Sequence, residues 1–128
     1  MKWRQSLFVS CALGIFIIAN IAPGNFQLGF QNDKLNHFIA FFALTSLTVL
    51  AFPTRSLTLI LFFLLVFNAL IELSQGLLAL GREPSLTDIA AGALATVLVL
   101  LVECVRRIGR SEPTKIETEL ESSRKAGP

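Results

Sequence analysis

Charge is what this chain lacks. Only 16% of its 128 residues are Asp, Glu, Lys or Arg, where a soluble domain carries about 25%. Most of that charge sits in the last quarter of the chain, and it is scarce in the first hundred residues. Hydrophobic residues make up 53% and the mean hydropathy is +0.66. This composition argues against an ordinary soluble domain and for an integral membrane protein. Tyr is absent and Trp occurs once, against eleven Phe, a bias that suits a lipid-facing surface. Two cysteines, Cys11 and Cys104, lie far apart in or beside apolar segments, with no CxxC and no Cys/His pair. They read as small apolar residues in helices rather than as metal ligands or a disulfide. There is no internal repeat and no low-complexity tract. Nucleic-acid binding has no support beyond a few arginines near the C-terminus, which an anionic membrane surface explains equally well.

What is present is four apolar runs: Ser6–Ala22, His37–Phe52, Leu57–Leu73 and Leu86–Val102. Each is at the short end of what spans a hydrocarbon core of about 30 Å. Lys2 and Arg4 before the first run also resemble the start of a secretory signal. That run is longer than a usual h-region, however, and Asn20-Ile21 precede Ala22 where a small-x-small site is needed. The run is therefore read as a retained helix. Pro53-Thr54-Arg55-Ser56 is a tight turn, so the second and third helices are expected to be antiparallel neighbours.

The expected fold is an all-α membrane protein, a four-transmembrane-helix bundle over residues 1–104. Residues 105–128 form a polar cytoplasmic tail, helical at first and then disordered. Four spans put both termini on one side. With the N-terminus inside, Lys2, Arg4, Arg55, Arg106, Arg107, Arg110, Lys115, Arg124 and Lys125 are inner, and only Lys34 and Arg82 are outer. The positive-inside rule then predicts N-in, C-in, in a bacterial inner (cytoplasmic) membrane.

On that topology the sparse charges converge. Asp33, Lys34 and His37 lie at the outer end of the second helix, and Glu72 and Gln75 at the outer end of the third. Arg82 and Glu83 lie in the outer loop, and Asp88 in the first turn of the fourth helix. Asp33 and His37 are spaced i, i+4, and Asn68, Glu72 and Gln75 i, i+4, i+7, so each set shares a helix face. Turning these groups to lipid is costly, which favours their facing one another. Such a cluster either staples the bundle or forms a binding or catalytic pocket. Ser85, three residues before Asp88, fits a capping box with Asp in place of Glu. Ala91 and Ala95 make a small-xxx-small pair for close helix packing.

These residues resemble the VanZ-like family of small membrane proteins. The family's Asp-Lys-x-x-His-Phe element opens a helix, as Asp33-Lys34-Leu35-Asn36-His37-Phe38 does here. Its Glu-x-x-Gln closes a helix, matched by Glu72-Leu73-Ser74-Gln75. A loop Arg and an Asp opening the last helix follow, matched by Arg82 and Asp88. The order and gaps fit over about residues 33–95. The sequence departs from the pattern where the family usually has Asn and Gly after that Asp, and this chain has Gly92 and Ala95. The family is named for a protein linked to resistance to the glycopeptide teicoplanin. The resemblance implies a membrane location and an envelope role more than a reaction.

Two functions compete. In the first, Asp33, Lys34, His37, Glu72, Gln75, Arg82 and Asp88 bind an anionic headgroup, a lipid-linked envelope precursor or a membrane protein partner. Lys34 and Arg82 are then the anion contacts. In the second, His37, Glu72 and Asp88 are catalytic in a membrane enzyme acting on a lipid phosphoester or acyl group, with His37 as general base. No motif marks Ser74 or Ser85 as a nucleophile, and a single His excludes the two-His pattern of lipid phosphatases. Lys34 and Arg82 already offset the nearby acids, so neither a metal nor another cofactor is expected.

Overall fold

The computed structural model describes residues 3–21, 32–78, 84–111 and 123–124. Four helices carry nearly all of them: α1 Trp3–Ala19, α2 Asp33–Ala51, α3 Leu57–Leu77 and α4 Leu86–Ser111. No strand occurs among the described residues.

Local chemistry sets the helix limits. Asn32 caps α2, its side chain accepting the Lys34 amide at 3.1 Å. Asp33 follows in the first turn, where the helix dipole favours an acid. Pro53 stops α2, because the residue before a proline is disfavoured in helical conformation. Ser56 then caps α3 by accepting the Leu59 amide at 3.2 Å. Helix α4 continues past the apolar run to Ser111, through the proposed start of the polar tail. Its extension is braced by Glu103, which accepts from Arg106 Nε at 2.7 Å and Arg107 Nε at 2.9 Å. These are the i, i+3 and i, i+4 pairings a helix surface permits. The remainder of the tail, apart from 123–124, lies outside the described residues.

The helices alternate in direction. The Phe8 ring meets Phe52 edge-on at 5.5 Å, setting the start of α1 beside the end of α2. Gln75 Nε2 donates to the Ala19 carbonyl at 2.7 Å, setting the end of α1 beside the end of α3. The most extensive contact is between α2 and α4, whereas α2 and α3, despite their short turn, touch much less. The closest neighbour of α2 is therefore α4, with α3 the expected antiparallel neighbour but a looser one. The reason is the small face of α4. Ala95 and Thr96 are fully buried there, and a Cβ on Gly92 would lie 2.9 Å from Phe41 Cδ2. Small residues allow backbones to approach where lipid supplies no hydrophobic drive between helices. Thr45 and Thr96 face each other across this seam, their hydroxyls 3.3 Å apart. Each is also within donating distance of a carbonyl one turn earlier, Phe41 and Gly92 respectively.

Among the described residues, Phe41, Leu44 and Ile71 are the large apolar residues wholly enclosed. Many others point outward: Phe62 and Phe63 expose more than three-fifths of their surface, and Leu94, Leu101 and Val102 more than half. Water would not tolerate so continuous an apolar surface on a monomer. Helices α2, α3 and α4 are each long and apolar enough to cross a membrane. Helix α1 is apolar but has 17 residues, a rise of about 25 Å. The chain has the build of a membrane-associated helical protein, with three spanning-length helices and a shorter fourth packed on them.

Candidate functional site

The start of α2, the end of α3, the start of α4 and the end of α1 meet at one end of this assembly. His37 is buried in the second turn of α2, its ring parallel to that of Phe41, with centroids 6.5 Å apart. Its Nδ1 lies 3.2 Å from the Asp33 carbonyl oxygen, so the backbone of Asp33 orients the ring. A carbonyl only accepts, which places the proton on Nδ1. The other nitrogen, Nε2, faces Glu72 Oε2 at 3.5 Å. That separation is an ion-pair distance and too long for a good hydrogen bond. With Nδ1 carrying its proton, attraction across the gap needs a second proton, on Nε2 or on the Glu72 carboxyl.

Glu72 is 3% exposed. Its other oxygen, Oε1, accepts the Ser85 amide. Ser85 immediately precedes α4, so a carboxylate from α3 satisfies a donor at the start of α4. This replaces the expected capping box. Glu72 holds the amide that the Asp88 side chain would have taken, and the Ser85 hydroxyl pairs with Thr87 Oγ1 at 2.7 Å. The carbonyl of Ser85 begins the helix, accepting from Asp88 at 3.1 Å and Ile89 at 3.2 Å.

One turn deeper, Asn68 is completely buried and donates from Nδ2 to the Ile89 carbonyl at 2.8 Å. Its amide fills the space beside Gly92, where a Cβ would fall 2.6 Å from Asn68 Nδ2. Asp88 is 8% exposed. Four buried atoms at this end make no hydrogen bond among the described residues: His37 Nε2, Glu72 Oε2, Asn68 Oδ1 and Asp88 Oδ1. Three are oxygens that accept, and native structures rarely leave buried polar atoms unused.

Of the residues singled out in the sequence, His37, Glu72, Gln75 and Asp88 are all buried at this end. Asp33 and Lys34 lie on its surface. Arg82 and Glu83 fall outside the described residues. Gln75 is committed through Nε2 to α1, and beside it the Ser74 hydroxyl is shared between the Ile71 carbonyl at 2.7 Å and Asn20 Oδ1 at 2.9 Å. The participation of α1 was not anticipated. Asn20, a polar residue near the end of an apolar run, was the available signal. Among the described residues no three of His, Cys, Asp and Glu are grouped to hold a metal ion. Cys11 and Cys104 are both free thiols.

The opposite end has the reverse charge. Among the described residues of the four helices and their α2–α3 turn, it holds Arg4, Arg55, Arg106, Arg107 and Arg110 against one acid, Glu103. Among the described residues the His37 end holds Asp33, Glu72 and Asp88 against Lys34 and the one histidine. What fold and site define together is thus a helical membrane-type protein with an acid-rich buried cluster at one end and an arginine-rich end opposite. No protein-family model, curated protein or solved structure matches this chain.

Proposed function

We propose that the chain is a VanZ-like envelope protein of a bacterial inner membrane, with both termini inside and the His37–Glu72 end facing outward. There it binds the headgroup of an anionic lipid or lipid-linked envelope precursor. The arginine-rich end supports this orientation, because basic residues concentrate on the cytoplasmic side. The observation that carries the binding role is the set of buried oxygens on Glu72, Asn68 and Asp88 that accept no hydrogen bond among the described residues. A purely structural staple would meet each of these acceptors with a donor from the bundle itself. Left as they are, they ask for hydroxyl, amide or ammonium donors. A sugar-bearing headgroup supplies such donors, and its phosphate suits Lys34 at the surface and Arg82 in the following loop. A partner protein offering the same donors is the other occupant of this reading. Where the family's Asn is replaced by Gly92, the amide of Asn68 stands in the vacated space.

A membrane enzyme using His37 as general base is the second reading. The observation in its favour is the His37–Glu72 contact, since a base needs a group to orient or share its proton. The serines nearest to it are engaged, Ser85 with Thr87 and Ser74 with Ile71 and Asn20. The binding role is therefore preferred.

The test is thermal unfolding of the purified protein in detergent with phospholipids, lipid-linked cell-wall precursors, teicoplanin and divalent metals. A ligand at about a hundred times its dissociation constant stabilises by roughly 2.7 kcal/mol. Asp88→Asn keeps the shape of the side chain and removes its charge, which weakens the bond a ligand donor makes there while its own stability should stay close to the wild type. One class of headgroup should stabilise the wild type and act much more weakly on Asp88→Asn. No stabilisation by any headgroup would leave the cluster a staple, and turnover of a lipid lost in His37→Gln would favour the enzyme.

A further inference from the structure

The arginine-rich end carries a second site. A groove of about 380 Å³ opens where the end of α2, its turn and the start of α3 come together, lined by Thr48, Phe52, Arg55, Leu59, Ile60 and Phe63. This is at the small end of the range in which ligands bind, roughly 300–1,000 Å³. Its chemistry is sharply divided. Five of the six residues present carbon: four are apolar, and the Thr48 hydroxyl is turned back to donate to the Leu44 carbonyl at 2.7 Å. The sixth is Arg55, the only charged residue in the lining. Its backbone is fixed, because its carbonyl accepts from Arg107 Nη1 at 2.9 Å. Its guanidinium, by contrast, has no ion pair or hydrogen bond among the described residues. Glu103, the one acid at this end among the described residues, is already engaged by Arg106 and Arg107.

An apolar groove beside an uncompensated guanidinium, at the end of spanning-length helices, is complementary to an acyl chain joined to an anionic headgroup. We propose that this groove binds an anionic phospholipid of the surrounding leaflet, with the chain along Phe52, Leu59 and Phe63 and the phosphate on Arg55. Basic pockets between membrane helices recognise such headgroups by the same pairing. The site is separate from the His37–Glu72 cluster, and its occupancy does not depend on what that cluster binds.

Native mass spectrometry of the detergent-solubilised protein, given equal amounts of dioleoyl phosphatidylglycerol and dioleoyl phosphatidylcholine, tests the proposal. The wild type should retain the anionic lipid about fivefold over the zwitterionic one, the factor expected of one well-placed basic residue. Arg55→Gln should bring the ratio close to one. It leaves the carbonyl bond to Arg107 in place, and an unchanged melting temperature would check that. Arg110→Gln, which removes an exposed charge at the same end but outside the groove, should keep the preference. Inorganic phosphate at millimolar concentration should not displace the lipid. Equal retention of both lipids by the wild type would overturn the proposal, as would a preference surviving in Arg55→Gln. An equal loss in Arg110→Gln would mean a diffuse basic surface rather than a groove. Displacement by phosphate would mean a free-anion site rather than a lipid site.

Discussion

Gly92→Ala is the substitution whose outcome the geometry constrains most tightly. A Cβ at this position would lie 2.6 Å from Asn68 Nδ2, 3.0 Å from Asn68 Cγ and 2.9 Å from Phe41 Cδ2. Neither neighbour has anywhere to go, since Asn68 and Phe41 are 0% and 1% exposed. Forcing a methyl group into such a core costs about 1–3 kcal/mol. If Asn68 shifts to make room, its bond to the Ile89 carbonyl is also at risk, worth about 1 kcal/mol more. Against this stands the intrinsic preference of a helix for Ala over Gly, about 1 kcal/mol. The two smaller terms nearly cancel, leaving a net destabilisation of about 1–3 kcal/mol. Thermal unfolding in detergent, followed by circular dichroism, reads the difference. Gly109→Ala is the control, because nothing lies within 4 Å of a Cβ built there. It should be neutral or slightly stabilising. If Gly92→Ala behaves like Gly109→Ala, the close approach of α2, α3 and α4 around Asn68 is wrong.

Four further substitutions, at three positions, probe the two ends and the seam between α2 and α4. Glu72→Ala strips the Ser85 amide of its acceptor and should cost about 2 kcal/mol, while Glu72→Gln, which retains an acceptor, should recover more than half of that in the same melt. Glu103→Gln weakens the bonds to Arg106 and Arg107. Because both arginines are partly exposed, the loss should be only about 1 kcal/mol, and hydrogen exchange should show faster opening confined to the last turns of α4. Thr96→Val removes one hydroxyl from the seam, and since the Thr45 contact is long at 3.3 Å, the melt should change by less than about 1 kcal/mol.

The helical architecture was legible because polarity interrupts the apolar runs so rarely. Asn32, Pro53 and Ser56 bound α2 and α3 through local chemistry that involves no distant residue. Burial of His37, Glu72, Gln75 and Asp88 at one end also followed from sequence, since alternating helix direction brings their helix ends together. What could not be read is how the polar atoms are distributed among partners. Ser85 is 13 positions from Glu72, and Gln75 is 56 from Ala19. Spacing along one helix says nothing of such pairings. The capping box at Ser85 failed for this reason, as a carboxylate from another helix reached the amide first. The preference of α2 for α4 over α3 was hidden too. It depends on Gly92 admitting the Phe41 ring of α2, a fit of a side chain to a backbone that periodicity cannot show.

Which side of the membrane the His37–Glu72 end faces decides whether its unpartnered oxygens can meet an envelope ligand, and cysteine labelling in intact cells reads this directly. With Cys11 and Cys104 replaced by Ser, Leu86→Cys would mark that end, where the side chain is 83% exposed. Arg110→Cys would mark the other. An outward-facing cluster predicts that a membrane-impermeant maleimide labels position 86 in intact cells and position 110 only after permeabilisation. Labelling of position 110 alone in intact cells would contradict it, and would turn the buried acids toward the cytoplasm.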